Sequence, residues 1–202
     1  MSFNLPAPSQ PMTSASIVRC GDILGRAFLQ DPLMIRIEPS IERRRRGLPA
    51  VFTACLRHVA RCGEVIEAPE STGALGWFDL QHLSLGWRDV LASFLPVPLH
   101  FGIRPTVRLS AHDDYCDSRV LAHAPSNAAY IYVLGVAPEF SGQGIGSSLI
   151  QRALARIDGA FSNCLLRTEQ PKNVRLYERY GFRCVEHCVV PASGVDSWIF
   201  LR

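Results

Sequence analysis

The stretch that decides the fold contains Val133-Leu134-Gly135-Val136-Ala137-Pro138-Glu139-Phe140-Ser141-Gly142-Gln143-Gly144-Ile145-Gly146. Just before and into it, Tyr130 to Val136 is rich in aromatic and β-branched residues, which favours a buried strand. Pro138 ends that strand, because proline cannot donate to a sheet ladder. Three alternating glycines follow, and apolar residues then recur at helical spacing as far as Ile157. The predicted order is strand, glycine turn, helix.

A strand, a glycine turn and a helix in this order can bind an anion. Glycines let the backbone come close to a ligand, and the free N–H groups and positive end of the helix face it. Ser147 and Ser148 can add hydroxyls at the first turn. Such turns also occur for steric reasons alone. The turn lacks the Gly-Lys-Ser/Thr of nucleotide hydrolases, and its glycine spacing differs from a dinucleotide fingerprint.

Composition narrows the class of protein. With 202 residues, 48% of them hydrophobic, the chain suits one domain, which we predict over residues 17–202. Residues 1–16 are rich in proline and serine and are predicted to be a mobile tail without the features of a signal peptide. No apolar run is long enough for a membrane span, and a formal charge of +3 does not indicate nucleic acid binding.

Cysteine usage predicts a cytoplasmic protein without a metal. The chain has seven cysteines but no Cys-x-x-Cys and no Cys/His spacing typical of a metal site. Free thiols in a reducing cytosol are the expected state.

The remaining pattern predicts a mixed sheet flanked by helices. Residues 130–168 should form a right-handed crossover between two parallel strands. An early hairpin over residues 63–80 and a final strand pair over residues 182–201 should be antiparallel neighbours. The expected fold class is therefore α/β (α+β), with a mixed, mostly antiparallel central sheet and one parallel strand pair.

Two motifs resemble the GNAT N-acetyltransferase superfamily. Leu134 to Leu149 resembles motif A, whose core in that family is Gln/Arg-x-x-Gly-x-Gly/Ala. Downstream, Asn173-Val174-Arg175-Leu176-Tyr177-Glu178-Arg179-Tyr180-Gly181-Phe182 resembles motif B. The resemblance covers residues 129–202 well and residues 17–80 loosely. The C-terminal half, with Pro191 and Trp198, is also similar to the small-molecule branch that includes puromycin N-acetyltransferase.

The resemblance implies a splayed parallel strand pair and acetyl-coenzyme A as cosubstrate. The positions that it assigns to coenzyme binding are Leu134, Gly135, Val136, Ser141, Gly142, Gln143, Gly144, Ile145, Gly146, Ser147 and Asn173. Ser141 departs from the family, which has Gln or Arg there, so coenzyme binding should be weaker but not absent. Asn173 should cap its helix and, as in the family, reach the pantetheine arm.

Acetyl transfer from a thioester to an amine needs an oxyanion site and an acid for the leaving thiolate. Backbone N–H groups near Leu134 and Val136 can serve the oxyanion if the strand is bulged there, which Gly135 makes plausible. Tyr177 holds the family position of the acid, and a phenol (pKa ~10) can protonate a thiolate (pKa ~8.5). The alternative for Tyr177 is a core tyrosine, because Val174 and Gly181 lie on the same helix face.

The proton acceptor and the amine are less well defined by the sequence. Glu169 is a candidate base, although an exposed loop acid is the more ordinary interpretation. Asp113, Asp114 and Asp117 could attract a cationic amine or form a solvated face. Arg43 to Arg46 could hold a phosphate or cover a solvated helix face.

The function predicted from these residues is transfer of an acetyl group from acetyl-coenzyme A to a primary amine of a small molecule, directly within a ternary complex. Alternatives are acetylation of a protein or peptide amine, a non-catalytic acyl-coenzyme A sensor, and a regulator that binds ATP or NAD at the glycine turn. The expected partners are acetyl-coenzyme A and the amine, without nucleic acid or membrane, and a homodimer is left open.

Overall fold

The computed structural model describes residues 12–202, except the side chain of Trp87. The helices are α1 (Ser14–Ala27), α2 (Pro32–Ile37), α3 (Ile41–Cys62), α4 (Trp87–Asp89, continued by a π-helical turn over Val90–Phe94), α5 (Val97–Phe101), α6 (Ile103–Ala122), α7 (Ile145–Ile157) and α8 (Pro171–Glu178). The strands are β1 (Gly63–Glu67), β2 (Gly73–Asp79), β3 (Ala128–Val136), β4 (Asn163–Thr168), β5 (Arg183–Val190) and β6 (Val195–Leu201).

The six strands form one sheet in the order β1-β2-β3-β4-β6-β5. Only the β3–β4 pair is parallel, and the other four pairs are antiparallel. Helix α7 supplies the crossover from β3 to β4. The predicted fold class is therefore confirmed, including the parallel pair in a mostly antiparallel sheet.

The sheet separates two apolar cores. On one face, α1, α2, α3, α5 and α6 pack on sheet residues such as Phe78, Tyr130 and Leu165. On the other face, α7 and α8 cover Leu75 and Phe200, among other residues. The glycine turn lies between the end of β3 and the start of α7.

One boundary differs from the sequence prediction. The first helix begins at Ser14, where Thr13 accepts a hydrogen bond from the Ser16 N–H, so the predicted tail is too long at its C-terminal end. The predicted positions 1–11 of that tail lie outside the described residues. Helix α3 runs continuously past Pro49, which lies beside Gly25 of α1.

Within residues 12–202, no helix is both long enough and apolar enough to cross a membrane.

Candidate active site

The parallel strands β3 and β4 separate in the middle of the sheet. Their pairing runs from Ala128↔Asn163 to Ile131↔Leu166 and stops there. Strand β3 continues to Val136 and β4 to Thr168. The backbone edge of β3 beyond Ile131 is thus left without its neighbour on that side, and a wedge opens between the two strands.

The backbone of Leu134 and Val136 faces this wedge. The Ala137 N–H donates to the Thr72 carbonyl at 2.9 Å, toward the β2 side. Because backbone groups alternate along an extended strand, the N–H groups of Leu134 and Val136 point to the opposite edge, toward the wedge. These are unpaired donors of the kind that an oxyanion requires.

The bulge in β3 lies at Tyr132 and not at Gly135, which corrects the predicted position. Gly76 pairs with Val133 but Trp77 pairs with Ile131, which leaves Tyr132 as the extra residue. Gly135 pairs regularly with Ala74. Its own constraint is packing, because an added Cβ would lie 2.6 Å from Leu24 Cδ2.

The glycine loop lies at the wide end of the wedge. Gly142 and Gly144 have φ of +80° and +81°, conformations that favour glycine, and an added Cβ on either would meet no atom within 4 Å. Helix α7 begins at Ile145, so the N–H groups of its first turn have no intrahelical acceptor. Glycine at these two positions therefore allows the positive φ angles and leaves the space beside the N-terminus of α7 open.

A groove of about 570 Å³ runs from this loop to α8. The predicted coenzyme residues that line it are Leu134, Gly135, Val136, Ser141, Gly142, Gly144, Ile145, Gly146, Ser147 and Asn173. Gln143 does not line it. Lys172 and Arg179 also line the groove, and sequence reasoning missed both. Lys172 is the only lysine in the chain, so the sequence alone could have drawn attention to it.

The arginine run lies away from the groove, and none of Arg43 to Arg46 lines it. Arg44 is buried and donates to the carbonyls of Leu29, Glu38 and Pro39 at 2.7–2.9 Å. Arg43 pairs with the buried Glu38, and Arg45 pairs with Glu42 on the surface. Arg44 thus holds the chain where it enters α3.

Asn173 does not cap α8, which corrects another prediction. The N-cap is Gln170, with Pro171 in the first turn, where its missing N–H has no cost. The side-chain amide of Asn173 donates to Thr168 Oγ1 at 3.4 Å. This contact joins the first turn of α8 to the end of β4 and keeps Asn173 in the groove wall.

Tyr177 lies where the groove meets a second cavity. Its ring packs at 5.7 Å from Phe200 and 6.1 Å from Phe182, and the residue is 5% exposed. It also lines both cavities. Tyr177 is thus a core tyrosine that also borders the site, and its role as an acid stays a prediction. Burial raises the pKa of the Tyr177 phenol above its ordinary value, which keeps it protonated.

The second cavity measures about 110 Å³ and has three carboxylates in its wall, those of Asp31, Asp113 and Glu169. Apolar side chains from α2, α3 and α6, together with Phe28 just after α1, complete it; Phe52 and Leu109 are among them. The cavity shares a boundary with the groove at Phe28, Asp31, Leu134, Gln170, Asn173 and Tyr177. A molecule in this cavity would therefore meet the end of a molecule in the groove.

Arg167 organises the acidic side of the cavity. Its guanidinium pairs with Asp113, lies 3.7 Å from Asp117 Oδ1 and lies 3.6 Å from Glu169 Oε1. Glu169 is therefore not an exposed loop acid, and Asp113 and Asp117 do not form a solvated face. Asp114 alone of the predicted trio is exposed. Burial works to raise the pKa of Glu169, but Arg167 and His112 hold it below its ordinary value.

Asp31 is a site residue that the sequence analysis did not single out. It is 5% exposed and caps α2 by accepting the Leu33 N–H at 2.9 Å. Gln170 donates to its other oxygen at 2.8 Å. Burial raises the pKa of Asp31 above its ordinary value, despite the opposing hydrogen bond from Gln170. The tertiary structure alone brings this carboxylate to the junction of groove and cavity.

Residues 107–184 match the family model described as "Acetyltransferase (GNAT) domain". This range includes β3, the glycine loop, α7, β4 and α8, the elements that form the groove. Over this range the chain is similar to the GNAT acetyltransferase superfamily.

Solved structures with the GNAT fold extend the likeness over nearly the whole chain. A structure described as histone acetyltransferase HPA2 and related acetyltransferase, from Corynebacterium glutamicum, is 20% identical, with a TM-score of 0.62 over 95% of this chain and 93% of that one. The polyamine N-acetyltransferase of Drosophila melanogaster is 14% identical, with a TM-score of 0.59 over 96% and 97%.

A third structure shows that the fold alone does not fix the reaction. The C-terminal condensation domain of Ebony, solved with beta-alanyl-dopamine, is 10% identical to this chain, with a TM-score of 0.65 over 96% of each. At these identities the likeness establishes the fold. The match to the GNAT domain model supports acetyl transfer in general, and the fold does not identify the acceptor.

Proposed function

We propose that this protein transfers the acetyl group of acetyl-coenzyme A to a primary amine of a small molecule, directly within a ternary complex. One observation carries the proposal. The groove along the glycine loop and the acidic cavity meet at Tyr177 and at the unpaired backbone edge of Leu134. A thioester lying in the groove would present its carbonyl to an amine in the cavity.

The groove offers the contacts that coenzyme A needs. The N-terminus of α7, with the N–H groups of Gly146 and Ser147, suits a pyrophosphate. Lys172 and Arg179 provide positive charge along the same wall. Asn173 and the free edge of β3 can hydrogen-bond the amide groups of the pantetheine arm. Gln143 has no part in this arrangement.

The reaction then follows from the groups at the junction. The neutral amine attacks the thioester carbonyl, and the oxygen becomes an anion opposite the N–H groups of Leu134 and Val136. The carbon–sulfur bond breaks as the intermediate collapses, and Tyr177 O–H protonates the leaving thiolate. The amide nitrogen gives up the proton that balances the step, and the phenolate regains one from solvent or from the base.

Asp31 is the carboxylate best suited to remove the amine's proton. It borders both cavities, whereas Glu169 borders only the acceptor cavity. Its pKa is raised by burial, which makes it a better base, whereas that of Glu169 is lowered. Glu169 is also engaged by Arg167 and by Ser197 Oγ at 3.3 Å.

The cavity favours a small cationic acceptor over a peptide. A volume of about 110 Å³ accommodates an amine with a short chain. Three carboxylates against one guanidinium leave a negative excess that attracts a protonated amine. The polyamine N-acetyltransferase among the structural neighbours supports the same choice.

A non-catalytic acyl-coenzyme A sensor is the second candidate, and Ser141 is the observation that favours it. Ser141 lines the groove but is too short to supply the contacts of the Gln or Arg that the family has there. A sensor would bind the coenzyme without turnover.

Two measurements test the proposed function. Acetyl-coenzyme A at millimolar concentration should raise the melting temperature by mass action, whereas ATP and NAD should not. Free thiol release should then be followed with a panel of small amines and with peptides. Coenzyme stabilisation with no thiol release from any amine would favour the sensor, and no stabilisation at all would contradict both.

A further inference from the structure

Three potential metal ligands meet behind the acceptor cavity, on residues that the proposed reaction does not use as acid or base. His112 and Cys116 lie one turn apart on α6 and are 0% and 1% exposed. Glu169 follows β4. One ligand atom from each of the three lies within 4.8 Å of the others. His112 Nε2 is 3.5 Å from Cys116 Sγ and 3.5 Å from Glu169 Oε1.

Two serines support this cluster. Ser193 Oγ lies 2.8 Å from His112 Nδ1, so the other ring nitrogen is the one directed at Cys116 and Glu169. A histidine ligand ordinarily has such a partner on its second nitrogen, which fixes ring and tautomer. Ser197 Oγ lies 3.3 Å from Glu169 Oε1 and 3.8 Å from Cys116 Sγ, close to two of the three ligand atoms.

The two separations measured from His112 Nε2 suit a tetrahedral ion. Zinc bonds of about 2.3 Å to sulfur and about 2.0–2.2 Å to nitrogen and oxygen place tetrahedral ligand atoms about 3.4–3.6 Å apart. The two measured distances from His112 Nε2 fall in that range. We propose that His112, Cys116 and Glu169 bind one zinc ion, with Ser197 Oγ or a water in the fourth position.

Charge favours this choice of ion. Imidazole, thiolate and carboxylate together prefer zinc to magnesium or calcium, which take oxygen ligands. One thiolate and one carboxylate neutralise the two charges of the ion, so no net charge is buried. Arg167 stays paired when zinc engages Glu169, because Asp113 and Asp117 remain beside it. The competing description is a cluster without metal. In it, His112 and Glu169 form an ion pair, and the Cys116 thiol hydrogen-bonds to His112.

Zinc and cobalt titrations of the full-length protein, stripped of metal by a chelator, test the site directly. One equivalent of Zn²⁺ should bind saturably, and Co²⁺ should show thiolate-to-metal charge-transfer absorption with a tetrahedral visible spectrum. Cys116→Ser should abolish the charge-transfer band. Both Cys116→Ser and His112→Asn should weaken zinc affinity by at least ~100-fold, since even loss of an outer partner costs ~10–100-fold.

Cys184→Ser is the matched control, because Cys184 is exposed and lies outside the cluster. It should keep both the stoichiometry and the cobalt spectrum. Absence of saturable binding in the wild type, or a charge-transfer band that survives Cys116→Ser but is lost in Cys184→Ser, overturns the proposal. The wild-type titration decides the matter even if a buried variant does not fold. Binding is measured without substrates, so a failure of the proposed acetyl transfer would leave this result independent.

Discussion

The coenzyme groove and the acceptor cavity are built in different ways. The groove takes most of its wall from one continuous stretch, residues 134–147, and much of what it offers is backbone. The cavity takes its charged side chains from separate parts of the chain, with Asp31, Asp113 and Glu169 far apart in sequence. A backbone site depends on conformation, whereas a side-chain site depends on packing that brings distant residues together.

Because the groove and the cavity are built differently, substitutions in them should have different effects. Substitutions in the groove should alter coenzyme affinity or the stability of the loop. Substitutions at the junction and in the cavity should alter the rate of transfer at saturating coenzyme.

The largest effect is expected at the junction, from Tyr177→Phe. Loss of the acid should lower kcat by ~100–10,000-fold while the coenzyme Kd changes by less than about twofold. Steady-state thiol release and calorimetric titration measure the two quantities. Tyr180→Phe, three residues later, beyond the end of α8 and outside both cavities, is the control and should keep full activity. Full activity in Tyr177→Phe would show that thiolate protonation does not depend on this residue.

Asp31→Asn should have the next largest effect. Asparagine still caps a helix, so α2 should be preserved while the base is lost. We expect kcat/KM to fall by ~10–100-fold at neutral pH. In the wild type, activity should rise as pH increases through the raised pKa of Asp31, since only the ionised carboxylate accepts a proton.

Glu169→Gln is the comparison for that variant. It should lower kcat/KM less than Asp31→Asn and should keep the acidic limb of the pH–rate profile. The opposite ranking of the two variants would transfer the role of base to Glu169.

Gly144→Ala should have a smaller effect, on stability. At φ of +81° an alanine costs about 1–2 kcal/mol of unfolding free energy, although its Cβ would meet no neighbour. Urea denaturation measures the change. Gly146→Ala is the control, because its Cβ would be 3.7 Å from Val136 and alanine favours a helix by up to about 1 kcal/mol. Equal stability in the two variants would contradict a conformational role for Gly144.

The smallest effect is expected from Ser141→Arg, which restores a residue type that the GNAT family has there. A partly exposed ion pair contributes about 0.2–1 kcal/mol, so coenzyme affinity should rise by ~2–5-fold. The gain should shrink as salt is added, because salt screens exposed charges. Ser141→Gln separates charge from hydrogen bonding, since its gain should be insensitive to salt.

The sequence predicted most of the fold through local patterns. The hairpin of β1 and β2 lies within the predicted residues 63–80, β5 and β6 lie within the predicted residues 182–201, and Tyr130 to Val136 lies within β3. The prediction that Asn173 caps α8 was wrong because the helix begins earlier, with Gln170 as its N-cap and Pro171 in its first turn. The bulge was misplaced for a similar reason, since its position depends on the register with β2 and not on the presence of Gly135.

What the sequence determined by itself is the glycine loop and the helix after it. Positive φ at Gly142 and Gly144 and the free N–H groups of a first turn are consequences of steric limits within a few residues. Only the tertiary structure decided which charges meet. Arg167 is surrounded by Asp113, Asp117 and Glu169 because α6 packs across the end of β4, and Asp31 reaches the same place from the start of α2. Contacts across such distances in the chain follow from the packing of whole helices on the sheet.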